Sequence, residues 1–280
     1  LIIKRKLEIV VISDVHLGTN GCHAKKLLNY LNCITPKKLI LNGDIIDAWQ
    51  FNKQYFPKQH LKVIKKIMDM AADGVEVIYI TGNHDDILRK FSGTAIGNIS
   101  IVDKKVLKID GKEAWFFHGD VFDISIQNAK WLARLGSFGY KMLLLLNKWS
   151  NSLLENLGKE KFSKSNKIKN SIVNSSKTIN TFEKVISNLA IENGYDYVIC
   201  GHIHHPKMEI KETKKGQTLY LNSGDWTEHF TALEYQFKRW KLYQYNKDKL
   251  APFFVDEDES DLHVKDLIAA ITVFKQEKHL

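Results

Sequence analysis

Cysteine is scarce in these 280 residues, at three, and proline hardly less so, at four. Cys22, Cys33 and Cys200 are odd in number and form no C-x-x-C pair. That excludes a disulfide framework and a thiolate zinc site, and it fits a reducing, cytoplasmic compartment. Long apolar runs are missing as well: the longest covers residues 142–146, far short of the roughly 20 residues that cross a bilayer. Residues 1–13 read as a basic lead into a strand, so no signal peptide is expected. Internal repeats and low-complexity segments are also absent.

What is present belongs to a soluble globular protein. Hydrophobic residues make up 44% and charged residues 26%, enough of each to bury a core and solvate a surface. The length suits one large domain carrying an insertion. Lys and Arg number 41 against 32 Asp and Glu, a net charge of +9. Such a surface attracts phosphates, nucleic acid or anionic lipid without selecting among them.

Along the first part of the chain, strand-like and helix-like segments alternate. Residues 7–12 form an apolar run ending in Ser13-Asp14, and residues 23–34 place Ala24, Leu27, Leu28, Leu31 and Ile34 on one helical face. Residues 38–41 supply a second strand, Leu61, Ile64, Met68 and Ala71 mark a second helix, and residues 75–80 a third strand. This rhythm predicts a parallel sheet covered by helices. Asp110-Gly111, between residues 106–109 and 113–117, predicts a two-residue hairpin. Residues 218–221 and 230–245 are expected to complete a second sheet. The expected division is a core of residues 1–125 and 191–250, a helical cap at 126–190, and a tail at 251–280. In that tail an acidic run, residues 256–261, precedes Val264, Leu267, Ile268, Ile271 and Phe274 at helical spacing.

The notable polar residues stand at strand ends: Asp14 and His16, Gly43-Asp44 and Asp47, Gly82-Asn83-His84-Asp85, His118-Gly119-Asp120, and Gly201-His202-Ile203-His204. In open α/β sheets the ends of strands gather such residues in space. Singly each has an ordinary reading: a core histidine for His118 or His202, a helix cap for Asp14 or Asp47, a turn for Asn83. Together they resist it, because buried carboxylates and imidazoles side by side are costly without cations. Carboxylate, imidazole and amide oxygen suit Mn²⁺, Fe²⁺ or Zn²⁺. Asp85, Asp120 and Asp123 read as supports that orient ligands, and Cys200 as a small buried strand residue.

The ordered series Asp14-x-His16, Gly43-Asp44-x-x-Asp47, Gly82-Asn83-His84-Asp85, His118 and Gly201-His202-x-His204, from about residue 7 to 206, resembles the calcineurin-like metallophosphoesterase signature. The resemblance implies a mixed α/β fold, a four-layer α/β/β/α sandwich of two mixed sheets with an inserted helical cap. It implies two divalent ions, manganese first with iron or zinc as alternatives. Asp14, His16 and His204 would hold one with Asp44, and Asn83, His118 and His202 the other with the same Asp44. It further implies hydroxide bridging the ions as the nucleophile on phosphorus, and His84 oriented by Asp47 to stabilise the phosphoryl charge or protonate the leaving oxygen.

Within that superfamily, Gly43-Asp44-Ile45-Ile46-Asp47-Ala48-Trp49, His118-Gly119-Asp120 and Gly201-His202-Ile203-His204-His205-Pro206 resemble UDP-2,3-diacylglucosamine diphosphatases of lipid A biosynthesis. The enterobacterial-type enzymes carry Arg where this chain has His84 and Glu where it has Asp47, which implies a divergent branch. The implied reaction is pyrophosphate hydrolysis of a UDP-linked acylated sugar. The apolar Trp131, Leu132, Leu135, Phe138 and Met142, followed by Lys159, Lys161, Lys164, Lys167 and Lys169, fit a cap that grips acyl chains on an anionic membrane surface. The expected location is cytoplasmic, peripheral on the inner face of the inner membrane. A nuclease or cyclic-nucleotide phosphodiesterase is the alternative enzyme and a non-catalytic scaffold the alternative class; nucleic acid is not the expected partner, and no obligate protein partner is evident.

Overall fold

The first apolar run folds as a strand buried on both faces, and the rest of the architecture follows from it. The structure is a computed structural model that describes residues 4–48, 56–122 and 167–248, with side chains of the last segment described from 179 onward. In chain order the strands are β1 (Arg5–Ile12), β2 (Ile34–Asn42), β3 (Glu76–Ile80), β4 (Thr94–Ile96), β5 (Ile99–Val102), β6 (Lys104–Ile109), β7 (Lys112–Phe117), β8 (Tyr197–Cys200), β9 (Lys207–Thr213), β10 (Gly216–Asn222), β11 (Thr231–Gln236) and β12 (Arg239–Gln244). The helices are α1 (Ala24–Asn32), α2 (Lys58–Ala72) and α3 (Lys167–Glu192).

Seven strands form one sheet, ordered β12-β11-β1-β2-β3-β5-β4, and five form the other, ordered β6-β7-β8-β10-β9. Alternation along each strand sends side chains to different layers. Val10 and Ile12 pack outward with α1 and α2, whereas Ile9 and Val11 face the second sheet. On that sheet Ala114 and Phe116 face inward, while Trp115 and Phe117 pack outward against Phe182, Ile186 and Ala190 of α3. Helices, sheet, sheet and helix thus make the four-layer sandwich that the sequence led us to expect. Because β1, β2 and β3 run parallel, their carboxyl ends lie along one rim of the first sheet.

Several local expectations shift. Residues 230–245 form β11 and β12, but this hairpin joins the first sheet, with β11 antiparallel to β1. The alternating pattern identifies strands without saying which sheet receives them, and the burial of residues 231–235 suits a place beside the central β1. β2 starts at Ile34, four residues before the expected position, and Pro36 lies within its pairing with Leu7. On α2 the buried face holds His60, Leu61, Val63, Ile67, Met70 and Ala71, while Met68 is 54% exposed. His60 turns inward because its Nδ1 accepts a bond from Gly18 N at 2.9 Å, which rotates the helix from the purely apolar reading. The Asp110-Gly111 hairpin forms as read, with both residues at positive φ, 47° and 86°. Cys22, Cys33 and Cys200 are free thiols. Residues 126–166 of the expected cap, Asp123 and the tail at 251–280 lie outside the described residues; residues 167–190 belong to α3.

Candidate metal centre

Each of the parallel strands β1 and β2, and β8 of the second sheet, ends in a left-handed turn that carries the polar residues. Asp14, His16, Asp44, His202 and His204 have φ of 52°, 54°, 53°, 67° and 49°, a region that costs a non-glycine residue roughly 1–2 kcal/mol. The turns are tied together through the backbone: Asp14 N donates to Gly43 O at 3.1 Å, and Val15 N and His16 N both donate to Asp44 O at 2.9 and 3.0 Å. Glycines allow the close approach. A Cβ on Gly43 would stand 2.3 Å from His118 Nδ1, one on Gly82 2.2 Å from Asp44 Oδ1, and one on Gly201 2.5 Å from Asp14 Oδ2.

The two buried carboxylates use their oxygens in the same way. Asp14 Oδ2 accepts from His202 N at 3.0 Å, while its Oδ1 faces His204 Nε2 at 3.2 Å. Asp44 Oδ1 accepts from His84 N at 2.8 Å, while its Oδ2 faces His118 Nε2 at 3.2 Å. Two donors that share one ion through bonds of about 2.1 Å stand about 3.0–3.4 Å apart, so both contacts have the spacing of co-ligands. His118 donates its Nδ1 hydrogen to Asn42 O at 2.9 Å, which leaves Nε2 as the lone-pair nitrogen of the neutral ring. Asp14 Oδ1, Asn83 Oδ1 and His118 Nε2 are buried without a hydrogen bond of ordinary geometry. Buried polar atoms rarely stay unpaired, and oxygen and imidazole donors left in this state fit divalent cations.

Three groups of side chains offer donor atoms all within 4.8 Å of one another: Asp14, His16 and His204; His16, Asp44 and His84; and Asp44, His118 and His202. Asp14, His16, Asp44, His84, His118, His202 and His204 are therefore brought together, with His16 and Asp44 each shared by two groups. Asp47, 1% exposed, sets its Oδ2 3.0 Å from His84 Nδ1 and 3.5 Å from His16 Nδ1. A His84 ring nitrogen lies within 4.8 Å of donor atoms on both His16 and Asp44, so His84 borders the group of possible ligands.

Electrostatics follow from this crowding. Burial works to raise the Asp14 carboxyl, but the contact with His204 and the charge of His118 outweigh it and hold the group below its usual range. Burial is likewise overcome at Asp44, which His118 holds well below the usual carboxylate range. Burial pulls His118 down, yet Asp44 and then Asp14 push it up to about 10. His204 is raised against burial by Asp14, while for His16 burial prevails and lowers it. Without cations, imidazolium charge neutralises the acids; with cations, that charge must leave.

Supports surround the cage. Asp85 accepts from Ile45 N at 2.9 Å and Tyr79 Oη at 2.6 Å on one oxygen and from Gly82 N at 2.6 Å on the other. It thereby staples the Asp44 turn to the Asn83 turn. Asp120 holds Arg89 at 2.5 Å, joining the His118 turn to the segment after His84. Sequence reasoning missed Asp225, fully buried with Oδ2 4.0 Å from His204 Nδ1. Its signal was available, since Gly224-Asp225 follows the end of β10 as Gly43-Asp44 follows β2.

A cage of carboxylates and imidazoles, set at strand ends in a four-layer sandwich, defines a metal-dependent phosphoesterase. The chain belongs to the calcineurin-like phosphoesterase family, whose model matches residues 7–206. It is 26% identical over 236 residues to the UDP-2,3-diacylglucosamine hydrolase of Blochmanniella pennsylvanica, a match covering 81% of this chain and 92% of that protein. To the UDP-2,3-diacylglucosamine hydrolase of Aliivibrio fischeri it is 23% identical over 252 residues, 85% of this chain and 98% of the relative. Among solved structures, Yfce, a phosphoesterase from E. coli, matches at 13% identity over 85% of this chain and 93% of its own, with a TM-score of 0.44. No helix among the described residues is long and apolar enough to cross a membrane.

Proposed function

We propose that this phosphoesterase hydrolyses the pyrophosphate of UDP-2,3-diacylglucosamine to UMP and 2,3-diacylglucosamine 1-phosphate, a step of lipid A biosynthesis. The observation that carries the reading is similarity to UDP-2,3-diacylglucosamine hydrolases along more than four-fifths of this chain and more than nine-tenths of theirs. In this reading Asp14, His16 and His204 share one divalent cation with Asp44, and Asn83, His118 and His202 share a second with the same Asp44. Manganese is the proposed metal, since the donors are oxygen and imidazole without thiolate. Cations bound there supply Lewis acidity towards phosphoryl oxygens and bring the pKa of water towards neutrality.

The side chains contribute orientation and proton handling. Asp47 accepts from His84 Nδ1 at 3.0 Å, which fixes the orientation and tautomer of the ring. His84 then faces the phosphoryl group through Nε2, where it balances developing negative charge or gives a proton to the leaving oxygen. The bond of His84 N to Asp44 keeps that ring in register with the shared carboxylate. The segment at 126–190 is proposed to form a cap over the acyl chains, and the protein to work as a cytoplasmic enzyme peripheral to the inner membrane.

Incubation with UDP-2,3-diacylglucosamine and Mn²⁺ tests the reading through UMP release. Expected are release that stops on chelation and a rate above that on a cyclic nucleotide or simple phosphodiester. Faster turnover of a cyclic nucleotide, or of nucleic acid, would overturn the substrate.

A further inference from the structure

A loop beside the metal centre is built more firmly than its exposure requires. After β10 the chain runs through Ser223 and Gly224 to Asp225, whose Oδ1 accepts from Thr227 N and Thr227 Oγ1 at 2.9 Å each, Glu228 N at 2.5 Å and His229 N at 3.2 Å. The other oxygen meets His229 Nδ1 at 2.5 Å and lies 4.0 Å from His204 Nδ1. The loop is also fastened to the first ligand turn: Trp226 N donates to Asp14 O at 3.1 Å, and Ser13 Oγ donates to Gly224 O at 2.9 Å. At Gly224 a Cβ would stand 2.1 Å from Thr231 Oγ1, so even the bend leading into the loop is held tightly.

The product of this construction is one exposed imidazole. Taken together, the two distances through Asp225 Oδ2 place His229 Nδ1 within 6.5 Å of His204 Nδ1. Its side chain is nevertheless 43% exposed, so packing does not explain the investment in its position. A carboxylate only accepts, so His229 donates from Nδ1, and Nε2 is the nitrogen left for another partner. A phosphate oxygen is the partner that suits an N–H at Nε2 of a ring whose Nδ1 is anchored on a carboxylate, through a charge-assisted hydrogen bond.

We infer that His229 contacts substrate, binding the phosphate that is not cleaved through its Nε2, and that Asp225 is its positioning residue. The cage and His84 serve the phosphorus under attack; His229, on the His204 side, serves its neighbour. This rests on the proposed function insofar as it needs a substrate with two phosphates. It gives the site a means of preferring a diphosphate diester to a single-phosphate ester.

The test uses the full-length, manganese-loaded protein and the hydrolysis of bis(p-nitrophenyl) phosphate, inhibited by UMP or by uridine 5′-(α,β-methylene)diphosphate. The readout is the ratio of the two inhibition constants. Wild type is expected to prefer the diphosphate analogue by about tenfold, the order that one charge-assisted hydrogen bond supplies. His229→Asn keeps a donor near the position of Nδ1 and deletes Nε2, and should abolish the preference. His229→Gln sets an amide donor near the position of Nε2 and should restore most of it. An unchanged ratio in His229→Asn overturns the inference, as does a wild type without preference or a loss in both variants alike. Failure of the proposed function would show separately, as no UMP release from the UDP-lipid, while the inhibition ratio stays readable.

Discussion

Gly43→Ala offers the sharpest test of how the cage is held. The added Cβ would lie 2.3 Å from His118 Nδ1 and 2.4 Å from His118 Cγ, where ordinary contact begins at 3.4 Å. The ring must therefore retreat by about 1 Å, a misplacement that can cost an active site on the order of 100-fold in rate. It cannot retreat freely, because Nδ1 is bonded to Asn42 O and the ring edge meets His202 at a centroid distance of 5.1 Å. Losing that bond costs about 1 kcal/mol, and the positive φ of 85° adds about 1–2 kcal/mol for alanine. A domain with the usual 5–15 kcal/mol survives such a loss folded. The expected result is a folded protein with metal content lowered at the His118 side and kcat/KM on bis(p-nitrophenyl) phosphate down about 100-fold. Gly74→Ala is the control, since its φ is 97° and a Cβ there meets nothing within 4 Å. Both substitutions carry the backbone penalty and only one touches the cage, so equal effects of the two, or full metal occupancy and wild-type turnover in Gly43→Ala, would refute the reasoning.

His84→Ala should lower kcat by about 10²–10⁴, the usual range for a lost general acid, with metal content retained; loss of metal instead would show that its closeness to His16 and Asp44 makes it a ligand. Asp85→Ala strips three buried donors, Ile45 N, Gly82 N and Tyr79 Oη, of their acceptor. At about 1–3 kcal/mol for each stranded group, thermal unfolding should fall steeply, and an unchanged Tm would remove Asp85 from its stapling role. In metal-free protein His118 is raised from 6.5 to about 10. Its pairing with Asp44 therefore adds stability that is complete below about pH 6.5 and is lost as pH rises towards 10. A cation must displace the same proton, so Mn²⁺ affinity should climb about tenfold per pH unit over that window. Calorimetric titration across it checks this, and a flat affinity would contradict it.

How much of this was legible in the sequence depends on what each signal encodes. Asp14, His16, Asp44, Asn83, His84, His118, His202 and His204 each follow a strand, and the parallel order of β1, β2 and β3 brings such positions to one rim. The four layers were implied by the family resemblance, and the sequence pattern itself reached only a parallel sheet covered by helices: runs such as Ile9–Ile12 are apolar at every position, which requires cover on both faces. The placement of β11 and β12 was not legible, because alternation along a strand says nothing about its neighbour. Met68 was misplaced because His60, a polar residue, takes a core position through its bond to Gly18 N, and apolar counting cannot see such an exchange. Asp225 was missed although Gly224-Asp225 follows β10 as Gly43-Asp44 follows β2, because its partners, Thr227, Glu228 and His229, are local and a Gly-Asp pair with local partners reads as an ordinary turn.

The left-handed residues of the candidate cage bear on how folding and metal loading are related. Asp14, His16, Asp44, His202 and His204 each hold a positive φ, and at about 1 kcal/mol apiece the strain approaches the lower end of a whole domain's net stability. Such strain persists only where surrounding structure over-determines it. Here it is met by backbone bonds between turns, by the Asp14 and Asp44 oxygens that accept from His202 N and His84 N, and by glycines that admit the close approach. None of these restraints involves a cation. We expect the metal-free protein to keep its fold, unlike small domains that fold around their metal; loss of cooperative thermal unfolding on chelation would contradict this. With the spacing of the donors set by backbone, selection among divalent ions falls to the chemistry of carboxylate, imidazole and amide oxygen, and to supply.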